Sequence, residues 1–184
     1  MEHKIIFTGP VGAGKTTAIS SVSDIMVVAT EAKASDAVAK IKTKTTVAMD
    51  YGILNLADGN KVHLYGTPGQ ERFSFMWEIL SKNAMGIVIL IDNSNPKAYA
   101  DLKFYLNAFS KPIAQCSEVV AIGVTRTEGN SEGGLPSHFH EHLASLKLNI
   151  PIFEVDCRKR EDVKQLLMAL LAQLDPCTFE RQHV

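Results

Sequence analysis

Eight residues near the N-terminus, Gly9-Pro10-Val11-Gly12-Ala13-Gly14-Lys15-Thr16, constrain this chain more than any other feature. They match the pattern G-x-x-x-x-G-K-[ST] and stand between an apolar β-like run, Lys4 to Thr8, and a helical pattern that opens at Lys15. The glycines let the backbone curl so that successive N–H groups converge on one point. The helix N-terminus adds its partial positive charge there. The ligand such a loop selects is a phosphate chain. Lys15 is expected to reach the β- and γ-phosphates of a nucleotide, and the Thr16 hydroxyl to ligate magnesium. The expected phosphate-binding set is Gly9, Val11, Gly12, Ala13, Gly14, Lys15, Thr16 and Thr17. The loop alone does not separate a GTPase from an ATPase or a kinase.

The rest of the chain alternates short β-like runs with helical patterns, the signature of an α/β fold with a mostly parallel sheet covered on both faces. Strands are predicted over 46–56 and 61–65, joined at Ala57-Asp58-Gly59-Asn60, where Asp-Gly signals a tight turn. Phe73, Met76, Trp77 and Leu80 recur at helical spacing, which predicts an amphipathic helix over 71–82. Residues 85–91 read as a central strand, continuous in apolar residues because both faces are buried. Pro96 suits the first turn of a helix reaching about 110; strands at 118–124 and 151–155 and helices near 136–147 and 160–174 complete the set. Residues 30–46 are polar and alanine-rich and read in part as a long surface loop. With 184 residues and no linker or repeat, one domain over 1–184 is expected.

Charge and cysteine content narrow the partners. A formal net charge of −1 gives no electrostatic reason to expect nucleic acid or an acidic membrane surface. Three cysteines (Cys116, Cys157, Cys177) without a C-x-x-C pair favour reduced thiols and a cytoplasmic location. Glu2 stands where myristoylation needs glycine, and the ending Glu180-Arg181-Gln182-His183-Val184 carries no prenylation box, so no membrane anchor is expected.

Residues 65–73, Tyr65-Gly66-Thr67-Pro68-Gly69-Gln70-Glu71-Arg72-Phe73, resemble the switch II segment of Ras and Rab proteins, W-D-T-A-G-Q-E-R-F. Thr45-Thr46-Val47-Ala48-Met49-Asp50-Tyr51 resembles switch I with its characteristic threonine. Ile91-Asp92, then Thr125-Arg126-Thr127-Glu128, then Asp156-Cys157-Arg158 fall where small GTPases keep their remaining signatures, so the likeness runs over residues 3–174. The Thr-Pro-Gly-Gln form of switch II is most similar to prokaryotic small GTPases, including those partnered with roadblock-fold proteins.

The resemblance implies a three-layer Ras-like P-loop NTPase with a six-stranded sheet and about five helices. It also implies GTP and GDP as ligands, Mg2+ as cofactor and a protein effector or regulator as partner, with a roadblock-fold protein as one form. By the same resemblance Thr46 would bind magnesium and sense the γ-phosphate. Gly69 would contact that phosphate through its N–H. Gln70 would orient the attacking water, alongside Lys15 as the second catalytic group. Glu128 would accept from the guanine ring, Arg126 would lay its stem and guanidinium on the base, and Thr125 would keep part of asparagine's hydrogen bonding. Cys157 would offer a backbone N–H to guanine O6, with Arg158 beside it.

Two departures stand out. The family aspartate of switch II is Gly66 here, and Val11 occupies a position where Ras has glycine. Asp92 is a candidate replacement for the lost carboxylate, although a cap on the following turn is the preferred reading. Val11 crowds the γ-phosphate and the approach of an arginine finger, which predicts slow turnover. Two other readings stay open: a nucleotide-binding interaction module with negligible hydrolysis, and a P-loop ATPase using Asp92 as magnesium ligand. His138 and His142 share a helix face but lack a second cluster, and a solvated helix is favoured over a metal site.

Overall fold

The computed structural model describes residues 2–29, 49–70, 73–110, 119–129 and 135–173. Thr46, the polar stretch 30–46, Glu71, Arg72, Cys116 and Cys177 lie outside the described residues.

The elements follow the alternation of the sequence. Strands are β1 (Glu2–Thr8), β2 (Val28–Ala29), β3 (Asp50–Asn55), β4 (Lys61–Gly66), β5 (Gly86–Asp92), β6 (Val120–Thr125) and β7 (Ile152–Glu154). Helices are α1 (Lys15–Val22), α2 (Ser74–Ser81), α3 (Ala98–Ala108), α4 (Ser137–Ser145) and α5 (Arg160–Leu171). One sheet takes all strands in the order β2-β3-β4-β1-β5-β6-β7. The six longer strands are those the sequence predicts. The seventh, two-residue β2, pairs antiparallel with β3 at the sheet edge and was not foreseen, because two residues carry no periodicity.

Parallel pairing runs from β4 through β1, β5 and β6 to β7, and among the described residues only β3 and β2 are antiparallel. The β3–β4 hairpin closes on the predicted turn, with Gly59 at φ 84° and the Asp58 carboxylate accepting from the Asn60 N–H at 3.0 Å. All seven residues of β5 are buried, which explains its unbroken apolar run. One core layer joins Ile5, Phe7, Ile19, Leu64, Val88 and Leu90 to Leu166 and Leu170 of α5. The opposite layer joins Ile6, Ile87, Ile89 and Ile91 to Trp77, Leu102, Tyr105, Phe109 and Phe139. Helix α2 therefore packs by Trp77 and Leu80 and leaves Phe75 and Ile79 exposed. Trp77 serves the core, whereas Phe75 faces outward. His138 and His142 lie edge-on to the Tyr99 ring at 5.2 and 5.4 Å between centroids, a packing arrangement.

The consequence for function is positional. The phosphate loop follows β1, in the middle of the sheet, and the loops after β4, β5, β6 and β7 leave from the same carboxyl edge. Open parallel sheets bind ligands at that edge.

Candidate functional site

The glycine loop has the backbone its sequence demands. Gly9, Gly12 and Gly14 have φ of 138°, 84° and 100°, where side-chain-bearing residues are strained. A Cβ on Gly9 would stand 2.1 Å from the Leu90 carbonyl oxygen, and one on Gly14 would stand 2.8 Å from Cys157 Sγ. A side chain at Gly9 would push the loop off β5, and one at Gly14 would collide with Cys157.

Lys15 folds back over the loop, donating to the carbonyls of Gly9 at 2.8 Å and Pro10 at 2.7 Å. Burial pulls its pKa from 10.5 down to about 8, and the negative Asp50 carboxylate opposes that fall. A partly desolvated ammonium at the first turn of a helix, held by two carbonyl acceptors, is suited to an incoming polyanion. Thr16 is exposed at the same end of α1, and its hydroxyl donates to Asp50 Oδ2 at 2.6 Å. These oxygen donors, with phosphate oxygens, form the hard set that Mg2+ takes. The site residues therefore fit both a phosphate chain and its cation.

A cavity of about 500 Å³ adjoins the loop, and three segments distant in sequence line it. Ala13, Gly14 and Thr17 come from the loop and α1; Thr125, Arg126 and Glu128 from the end of β6; Asp156, Cys157 and Arg158 from the turn after β7. Thr125 is buried, and its hydroxyl lies 3.3 Å from the carbonyl oxygens of Ala13 and Ile91, tying β6 to the phosphate loop. Asp156 takes a two-pronged ion pair from Arg158, Nε to Oδ1 and Nη2 to Oδ2 at 2.8 Å each. Those hydrogen bonds hold the Asp156 carboxyl down at about 2. Burial pushes the Cys157 thiol up to about 12, so it packs rather than attacks.

Glu128 and Arg126 stand differently from the simplest picture. The Glu128 side chain is 76% exposed at the cavity rim, with its carboxylate 3.7 Å from Arg158. Arg126 lines the cavity at φ 56°, but its guanidinium pairs with Asp92. Asp92 in turn accepts from the Ser94 N–H at 3.0 Å and the Ser94 hydroxyl at 2.6 Å through Oδ1. Asp92 is a turn cap and arginine anchor, and both its oxygens are committed.

The segment after β4 approaches the loop at Gly69, where a Cβ would lie 2.6 Å from the Val11 nitrogen and 2.7 Å from the Pro10 carbonyl carbon. Trp77 Nε1 donates to the Pro68 carbonyl at 2.9 Å, and the Tyr105 hydroxyl to the Gly69 carbonyl at 3.1 Å. Gln70 is exposed beside them, and Val11 is 68% exposed at the loop's outer face. Asp50 carries no motif signal of its own, although it stands in the stretch 45–51 that resembles switch I.

Glycine loop, carboxyl-edge cavity and sheet order define a P-loop nucleotide-binding α/β protein. The chain belongs to the family described as conserved hypothetical ATP binding proteins, whose model matches residues 24–149. An uncharacterized protein of Methanocaldococcus jannaschii is 34% identical over 94 residues, 50% of this chain and 53% of that protein. The Ras-related protein SEC4 of Candida albicans is 23% identical over 135 residues, 68% of this chain and 60% of that protein. The chain thus spans 53% and 60% of the length of these two relatives. In three dimensions the G domain of the T. maritima FeoB iron transporter matches with a TM-score of 0.64, covering 95% of this chain and all of that one, at 15% identity. At that identity the likeness concerns the fold.

Proposed function

We propose that the chain is a molecular switch that binds GDP and GTP, hydrolyses GTP slowly and engages a protein partner in its GTP state. The observation that carries this reading is the meeting of the loop, the β6 end and the turn at 156–158 around one cavity. Phosphate and base would then share one concave site.

In this reading Lys15 exchanges two carbonyl acceptors for β- and γ-phosphate oxygens, a stronger charge-assisted interaction. Thr16 and Thr46 would hold the magnesium ion, which would supply positive charge against the phosphate chain. Glu128 accepts from the guanine ring, and the Cys157 N–H donates to its O6. Gln70 orients the water. The Gly69 N–H reports the γ-phosphate, and the bond from Trp77 to the neighbouring Pro68 carbonyl passes any shift at Gly69 into α2. Phe75 and Ile79 are then the apolar residues α2 presents to a partner, a protein effector or regulator such as a roadblock-fold protein.

A second reading, ATP as the ligand, is favoured by the family's description and by the outward Glu128 carboxylate. The hydrolytic step has its own test. The full chain loaded with GTP is followed for phosphate release in a single turnover, beside Gln70→Ala. Release on the order of 10⁻⁴ s⁻¹, the intrinsic scale of Ras, and a clear loss in the variant are expected. No release over many hours would leave an interaction module.

A further inference from the structure

The family resemblance leaves a gap at Gly66, where small GTPases carry the aspartate that steadies magnesium. The structure fills it from the neighbouring strand. Asp50 is the first residue of β3, and in the antiparallel β3–β4 pair it stands directly opposite Gly66. Directly opposed residues in a sheet project to the same face. That face of β3 lies under α1: a Cβ on Gly52, two residues along, would meet Ile19 Cγ2 at 2.8 Å and Ser23 Oγ at 2.9 Å. Ser23 accepts from the Ile53 N–H at 3.2 Å, and the Asp24 N–H donates to the Ile53 carbonyl at 2.7 Å. Strand β3 is thus fixed along α1, and its first side chain arrives at the first turn of that helix.

There the Thr16 hydroxyl donates to Asp50 Oδ2 at 2.6 Å. Thr16 is the residue the loop pattern assigns to magnesium. A hydroxyl whose proton is given to a carboxylate keeps both lone pairs for a cation. Gly66 completes the arrangement by its missing side chain. A Cβ there would fall 2.8 Å from Asp50 Oδ2 and 2.9 Å from Asp50 Cβ. An aspartate at 66 and the observed Asp50 rotamer exclude each other. Asp92, the replacement considered from sequence, is bound to Ser94 and Arg126 instead.

We propose that Asp50 is the magnesium-positioning carboxylate of this protein, moved one strand across the sheet from position 66, and that Gly66 is the vacancy that admits it. The assignment rests on the nucleotide-and-magnesium reading above. Asp50 acts through Thr16, orienting its lone pairs and adding negative charge beside the cation. Supporting carboxylates of this kind typically change metal affinity by about 10- to 100-fold when removed.

The test measures release of a fluorescent GDP analogue from the full chain against free Mg2+. Compared are wild type, Asp50→Asn, Asp50→Gly, Gly66→Asp and the double variant Asp50→Gly/Gly66→Asp. Wild type is expected to release nucleotide more slowly as Mg2+ rises. Asp50→Asn should need about 10- to 100-fold more Mg2+ for half the effect, while melting without nucleotide stays cooperative. The double variant returns one carboxylate to the site from β4. Its half-effect concentration should fall back to within several-fold of wild type, whereas Asp50→Gly alone stays high. That recovery carries the test even where Asp50→Asn does not fold. A Mg2+-dependent wild type with an unchanged Asp50→Asn, or a double variant no better than Asp50→Gly, overturns the assignment alone. A wild type that binds GDP without any response to Mg2+ overturns the underlying reading, and this assignment with it.

Discussion

Raising the pH through 8 is expected to weaken nucleotide binding by an amount that Lys15 sets. Burial holds the pKa of the free lysine near 8, against 10.5 in solution. Bound phosphate replaces the lost hydration with negative charge, so the lysine in the complex keeps its proton to higher pH. Binding therefore takes up a proton wherever free Lys15 is neutral, and affinity falls as pH rises above about 8. At pH 9 roughly one free molecule in ten still carries the ammonium, a loss of about tenfold in GDP affinity, ~1.4 kcal/mol. The assay is a titration with labelled GDP at pH 7, 8 and 9 at fixed free Mg2+. Lys15→Arg supplies the comparison, because guanidinium stays charged throughout; it should bind less tightly at pH 7 and show a flat profile. A flat wild-type profile, or parallel profiles for the two proteins, would refute the reasoning.

The same group leaves a mark on stability without nucleotide. Between about 8 and 10.5 the unfolded lysine is protonated while the folded one is not. The unfolded state binds more protons there, so stability rises with pH across that window. Below pH 8 the penalty is fully present, about 3 kcal/mol at ~1.36 kcal/mol for each pKa unit. Denaturant midpoints at pH 7.5 and 10, compared between wild type and Lys15→Arg, report it.

The remaining expectations are shorter. Gly69→Ala places a Cβ 2.6 Å from the Val11 nitrogen, so it should lower stability by about 1–3 kcal/mol in chemical denaturation; an unchanged midpoint would show that the segment around Gly69 does not rest on the loop. Cys157, buried with its thiol pushed up to about 12, should escape alkylation by iodoacetamide at pH 8 until the chain unfolds, as peptide mass spectrometry can locate. Val11→Gly should speed single-turnover GTP hydrolysis by clearing the γ-phosphate, and a rate unaltered within error argues against crowding there. Trp77, hydrogen-bonded to Pro68 and stacked on Phe109 at 5.5 Å between centroids, should change emission when GTP replaces GDP.

Particular residues show how far the sequence alone could go. Gly9 to Thr16 were legible because a phosphate loop is local: eight consecutive residues contain the whole device. The β5 run was legible because burial on both faces removes all polar residues from a strand. The segments at 125–128 and 156–158 are singled out by resemblance alone, and their convergence on one cavity follows from parallel strands ending at one edge. Asp50 was not legible, because its role depends on standing opposite Gly66 across two strands and on Gly52 admitting α1. Pairing register is a tertiary property that no single segment carries. Arg126 illustrates the same limit, since its pairing with Asp92 joins the ends of β5 and β6.

The most direct test of the guanine-nucleotide reading is competition of GTP and ATP against labelled GDP on the full chain in magnesium buffer. A carboxylate facing the guanine N1–H is left unpaired by adenine, so GTP should displace the label at concentrations at least roughly 100-fold below ATP. Glu128→Ala should narrow that gap. Displacement by ATP at equal or lower concentration would contradict the account and assign the cavity beside Thr125 to Glu128 to adenine.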